Sequence, residues 1–224
     1  MIVWPTGSGS GGRQCRRRRL WRNGEICTAS SRLIEHTAVP CRREIMRAFA
    51  FQHFGHALAE GTQLGHRGQR QAAWANARYI AKGRAEGARA TVRGQRLNRE
   101  TPGFYLSPTL FTETRNDMRI NREEVFGPVA SVIRVADYDE ALAVANDTPV
   151  WPVCRDRDPD PVARMVFPAR LRAGCGMINS HGWNRLSCPL FGGRGASSYG
   201  PREQGRYAAE FYTIVKTSYM HRSL

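Results

Sequence analysis

Residues 119–148, RINREEVFGPVASVIRVADYDEALAVANDT, constrain the fold more than any other stretch, because their local rules agree with one another. Val129–Val135 is an apolar, largely β-branched run of strand length and reads as a buried strand. From Tyr138 to Asn146 the apolar residues recur at helical spacing, so the segment is a strand, a turn and a helix, the unit from which α/β folds are built. Just ahead of the strand, Glu123 and Glu124 are followed by Val125, Phe126, Gly127 and Pro128. Such a chain reversal can present a carboxylate and an aromatic ring to one ligand.

A chain of 224 residues, 41% hydrophobic and 24% charged, can bury a substantial core in one or two domains. Its net charge of +15 is almost entirely arginine, since Lys82 and Lys216 are the only lysines. A nucleic-acid or membrane-surface partner is one reading of that balance. The arginines are scattered and are not aligned with aromatics on one face, so an arginine-biased sequence is the reading adopted, and neither partner is expected. Six cysteines, Cys15, Cys27, Cys41, Cys154, Cys175 and Cys188, form no CxxC pair and no Cys/His cluster with zinc spacing, so no metal site is expected. No apolar run is long enough to span a bilayer, and the N-terminus is rich in Gly and Ser where a signal peptide needs an apolar core. A reducing, cytoplasmic setting is expected.

Taken in order, the glycines at positions 7, 9 and 12 satisfy GxGxxG, but Pro5 weakens the preceding strand and Arg16–Arg19 stand where a helix would need apolar residues. A flexible glycine linker is the competing reading. The crowded tract 13–22, RQCRRRRLWR, would repel itself on any helix. Cys27, in 23–34 (NGEICTASSRLI), is a single cysteine among apolar neighbours, a pattern more often inert than reactive. Helices are expected at 45–59, at 72–86 with Gly87 as its stop, and at 160–171 with Pro168 interrupting it. Residues 103–111 read as a strand that Pro108 makes an edge strand or an irregular one. A strand is expected over 173–179, followed by a loop over 181–190.

These motifs together resemble the aldehyde dehydrogenase superfamily. EExFGP followed by a strand and a helix ending in AND is one of its signatures, NGEICTASSR resembles GQxCxAxSR with Glu25 in place of the glutamine, and GFYLSPTLF resembles GxFxxPTxF. FGGRG with SSYGPREQGRYAAEFYTIVKT resembles the C-terminal signature, in wording close to enzymes of 2-oxoglutarate semialdehyde. Thr6, Gly7 and Ser8 resemble the turn that contacts cofactor phosphates.

The resemblance implies Cys27 as nucleophile, Ser8, Glu124 and Phe126 as contacts of NAD or NADP, and Trp183, with neighbours Asn184 and Arg185, and Phe191 on the substrate side. It implies an α/β catalytic domain with a central, mostly parallel sheet over 23–195. Residues 1–22 would be the remnant of a largely missing cofactor-binding domain plus a basic stretch, and 196–224 a segment whose strand, 211–216, joins a homo-oligomer. The ELGG motif that carries the family's general base does not occur, and neither Glu25 nor Glu35 stands in its motif. The expected activity is oxidation of a small aldehyde, with a non-catalytic, partner-binding remnant of the same family as the alternative.

Overall fold

The computed structural model describes residues 2–3, 20–38, 42–50, 52–92, 94–150, 153–156, 161–178 and 191–221. Its strands are β1 (Ile2–Val3), β2 (Arg32–His36), β3 (Arg89–Ala90), β4 (Arg96–Leu97), β5 (Tyr105–Leu106), β6 (Thr109–Thr114), β7 (Val129–Val135), β8 (Val153–Asp156) and β9 (Cys175–Ile178). The helices are α1 (Arg42–Ala50), α2 (Arg70–Ala85), α3 (Arg119–Arg122), α4 (Tyr138–Asn146), α5 (Pro161–Arg170) and α6 (Ala208–Phe211).

Five strands form the main sheet in the order β1, β2, β7, β6, β3. All neighbours run parallel except β3, which is antiparallel to β6. The run Val129–Val135 is thus the middle strand, buried at every position but Arg134, which is why it needs apolar residues on both faces. Alternate residues face opposite layers. Leu33, Leu110, Ala130 and Val132 pack with Ile45 and Phe49 of α1. Phe111 and Val129 pack with Ile80 of α2, while Ile34 and Val135 pack with Ala141 and Leu142 of α4. Helices therefore cover both faces of the sheet.

Two helix ends follow directly from their residues. Asp137 caps α4 by accepting from the Glu140 amide at 2.8 Å, and the Glu140 carboxylate reaches back to the Ala136 amide at 2.6 Å. At the end of α2, Gly87 takes φ +92°, a conformation that favours glycine. Its amide bonds the Arg84 carbonyl and that of Ala88 bonds the Gly83 carbonyl, closing a Schellman turn.

Two expectations need correction, the length of the first helix and the interruption at Pro168. The first helix stops at Ala50 and does not run to residue 59, because the following residues fold back on themselves. The His53 carbonyl accepts from the amides of Gln63 and Leu64, and Phe54 bridges Leu64, which is buried in the core. Pro108 does make its segment irregular, but Thr109–Thr114 is not at an edge: it lies between β7 and β3. Proline's missing donor falls where the chain leaves the β4–β5 hairpin for the main sheet, so no ladder bond is lost. Pro168 sits inside α5 without ending it. The strand expected over 211–216 was to form on a partner's sheet; in this single chain Phe211 ends α6, and residues 213–221 pair with no other described strand. The expected helix at 72–86 is α2, and the expected strand at 173–179 is β9, paired in parallel with β8.

Phe111 is fully buried between the sheet and α2, so Phe111→Ala is expected to destabilise the chain by about 3–5 kcal/mol in urea unfolding. A loss below about 1 kcal/mol would mean that this layer is not packed as described.

Candidate active site

The site is assembled at the N-terminal ends of two adjacent parallel strands. β2 and β7 pair with Arg32 opposite Ser131, and the Ser131 amide donates to the Ser31 carbonyl at 2.9 Å. Cys27 lies shortly before β2, and Glu124 and Phe126 lie shortly before β7. The shared register therefore brings both segments to one end of the sheet.

The cysteine sits in a tight turn, with the Ala29 amide bonded to the Ile26 carbonyl at 2.9 Å and Thr28 and Ser30 buried behind it. Cys27 itself is exposed and its thiol is free. In the facing corner, Val125 is buried while Glu124 and Phe126 on either side of it are exposed, Phe126 by 44%. The two acids do different work. Glu123 accepts from the Tyr79 hydroxyl at 2.7 Å and pairs with Arg119, whereas Glu124 has no hydrogen bond or ion pair among the described residues. A carboxylate with no hydrogen bond or ion pair among the described residues and a partly exposed aromatic ring thus stand side by side at the surface.

What joins the two segments is Arg67, only 2% exposed. Its Nη2 donates to the Phe126 carbonyl at 2.7 Å and pairs with Glu25 at 3.1 Å. Asn76 on α2 donates to the same carbonyl at 3.2 Å. Both side chains crowd Gly127: a Cβ there would fall 1.8 Å from Asn76 Oδ1 and 2.6 Å from Arg67 Nη1, so any larger residue would have to displace those two side chains. The Arg67 backbone is held as well, its amide bonded to the Phe104 carbonyl at 3.0 Å. Burial pushes the guanidinium below its usual range, and the charge of Glu25 opposes that shift.

Other sequence-derived candidates fall elsewhere. Ser8, Trp183, Asn184 and Arg185 lie outside the described residues. Phe191 is half-buried at the start of a turn tied to β9, where Arg202 donates to the carbonyls of Gly193 at 3.0 Å and Gly174 at 2.9 Å. Glu35 is buried near the opposite end of β2 from Cys27, beside a cavity that also involves His36, Thr112 and Arg134. Glu25 is engaged by Arg67. An apolar cavity of about 380 Å³ beside Trp74, Arg78 and Tyr105 includes neither Cys27 nor Glu124 in its lining. Among the described residues no group of His, Cys, Asp and Glu is arranged to hold a metal, and no helix is long and apolar enough to cross a membrane.

Arg67 and Asn76 were not among the residues singled out from the sequence. Asn76 leaves a faint trace there, as a polar residue on the buried face of a helix. Arg67 leaves none.

Comparison with known proteins bears on this arrangement. A model described as the aldehyde dehydrogenase family matches residues 13–218. The chain belongs to the aldehyde dehydrogenase family. A betaine aldehyde dehydrogenase from Brucella anthropi is 33% identical over 208 residues, 90% of this chain and 42% of the relative. An alpha-ketoglutaric semialdehyde dehydrogenase from Bacillus subtilis is 32% identical over 203 residues, covering 88% of this chain and 41% of the relative. Among solved structures, the P. syringae indole-3-acetaldehyde dehydrogenase in complex with NAD+ superposes with a TM-score of 0.89 at 29% identity, over 97% of this chain and 44% of that one. The chain therefore spans less than half the length of these family members.

In this chain the Tyr79 hydroxyl, and after it Arg119, hold the Glu123 carboxyl below its usual range. A carboxyl lowered by folding stabilises the native state above the ordinary carboxylate range, and that contribution is lost as pH falls through the lowered value. Tyr79→Phe is expected to lower the urea midpoint at neutral pH, with the gap closing in acid, and to move the Glu123 titration upward in carboxyl NMR. An unmoved titration would show that the hydroxyl does not restrain this acid.

Proposed function

We propose that this chain carries the nucleophile-bearing part of an NAD(P)-dependent aldehyde dehydrogenase that oxidises a small aldehyde to a carboxylate. The observation that carries the reading is the single Arg67 nitrogen bonded both to Glu25, two residues from Cys27, and to the carbonyl of Phe126. Through it an exposed free thiol and an unpartnered carboxylate with its aromatic neighbour share one end of the sheet.

In this reading the Cys27 thiolate adds to the aldehyde carbon and forms a thiohemiacetal. Glu124 and Phe126 are the described residues that would hold NAD or NADP, which would supply the hydride acceptor for the oxidation of that carbon to a thioester. The resulting thioester on Cys27 is hydrolysed by water, which releases the carboxylate and restores the thiol. Glu25 is tied up in its ion pair and Glu35 lies toward the far end of its strand, so neither is placed as the base for that last step. The aldehyde proposed is 2-oxoglutarate semialdehyde, supported by the wording of the C-terminal motif and by the relatives from Bacillus subtilis and Haloferax volcanii named for that class.

A second reading rests on a different observation. Beyond α6 the chain exposes Ile214 by 96%, Val215 by 93%, and Tyr219 and Met220 nearly completely. An apolar stretch without a partner strand is suited to adding to the sheet of another subunit. A non-catalytic chain that assembles through this segment is the alternative, and assembly into a homo-oligomer in a cytoplasmic setting is compatible with both.

Two measurements follow. Purified chain given NAD+ or NADP+ and an aldehyde is expected to form reduced cofactor, and Cys27→Ala is expected to abolish it; reduction that persists in the variant would overturn the role of the thiol. In light scattering the chain is expected to run as a dimer or larger, and Ile214→Asp with Val215→Asp to run as a monomer. An unchanged mass in that double variant would remove the segment from the interface.

A further inference from the structure

Arg67 has a feature that packing alone does not explain. It is almost fully buried, yet its Nε and Nη1 find no acceptor among the described residues, so Glu25 and the Phe126 carbonyl, both on Nη2, are its side-chain partners. Burying a guanidinium with two acceptors on one nitrogen is costly, and such a group persists where its geometry is needed. Glu25, moreover, stands where the family signature has a neutral glutamine. A carboxylate at that position introduces a charge beside the nucleophile turn, and Arg67 is the cation that meets it.

We propose that Arg67 is a positioning residue that clamps the Cys27 turn to the EEVFGP corner, gripping Glu25 on one side and the Phe126 carbonyl on the other. The clamp lies at the N-terminal ends of β2 and β7, where the backbone ladder has not yet begun at Cys27 or Phe126. The ladder sets which strand ends are adjacent, and Arg67 sets how closely the two loops beyond them approach. A second contact reinforces the first: Asn23 Nδ2 donates to the His66 carbonyl at 3.3 Å, so the nucleophile segment touches residues 66 and 67 at two points. Asn76 braces the other side through the same Phe126 carbonyl. This inference rests on the reading of Cys27 and Glu124 as one site, but its test requires neither cofactor nor aldehyde.

The full chain carrying Glu124→Cys is treated with bis-maleimides, and the link between Cys27 and the introduced thiol is quantified by peptide mass spectrometry. The parent is expected to cross-link. Arg67→Met and Glu25→Gln are each expected to lower the yield about tenfold, and the double variant to fall no further, because both remove one interaction. Arg67→Lys is expected to recover part of the yield, keeping the charge but not the forked geometry. Urea midpoints measured alongside separate loss of the clamp from loss of the fold. If Arg67→Met does not fold, Glu25→Gln decides, since it leaves the bond to Phe126 in place.

Unchanged yields in folded single variants, losses that add in the double variant, or no link in the parent would each overturn the clamp. Should the chain turn over, Arg67→Met is expected to lower kcat/KM by about 10²-fold, as a misplaced nucleophile does. A clamped chain that does not turn over would refute the catalytic reading alone.

Discussion

The parallel pairing of β2 with β7 is the constraint on which the rest of the molecule depends. Five residues of β2 pair with β7 in unbroken register. Because the strands run in the same direction, whatever precedes one is delivered beside whatever precedes the other. The cysteine turn and the EEVFGP corner are far apart in sequence, and the ladder removes that separation. A slip of one residue would turn Leu33 and Ile34 to the wrong layers, so the hydrophobic pattern that builds the core also sets the register of the site.

The arginines that dominate the composition have specific work inside the fold. Arg32 reaches from β2 to Asn116 and to the Val144 carbonyl at the end of α4, and burial lowers its titration to about 10. Arg122 pairs with Asp147 at 2.8 Å and Arg170 with Asp139 at 2.6 Å, while Arg202 closes the FGG turn onto β9. The exposed pairs contribute little each in water. Arg67, which is buried, and Arg32, which is partly so, are different: removing a partner would leave a guanidinium poorly solvated, so they tie elements that the ladders alone do not join.

Legibility tracked the range of the interaction. Val129–Val135, α4 and the Gly87 stop of α2 were readable because their signals are local: a β-branched run, helical spacing and a glycine at the end of it. The overlong helix at 45–59 failed because the fold-back of residues 52–64 depends on a core position for Leu64 that no local pattern announces. Pro108 was read as marking an edge strand or an irregular one, and the second holds, since the choice between them depends on neighbouring strands that one dimension does not show. Cys27, Glu124 and Phe126 were singled out by motif wording, and the ladder brings them to one end of the sheet, whereas Arg67 and Asn76 left no such signal, because each acts on a backbone carbonyl distant in sequence.

The amino-acid sequence alone determined the family, the α/β class and the middle strand, since each is written in contiguous residues. Only the tertiary structure decided which groups surround the Cys27 thiol, which of the paired acids is restrained by Tyr79 and Arg119 and which is left exposed, and that a buried guanidinium spans the gap between two loops. Those are contacts between segments whose separation along the chain says nothing about their separation in space. Strand pairing and burial create the proximity, and desolvation makes the resulting charge contacts matter.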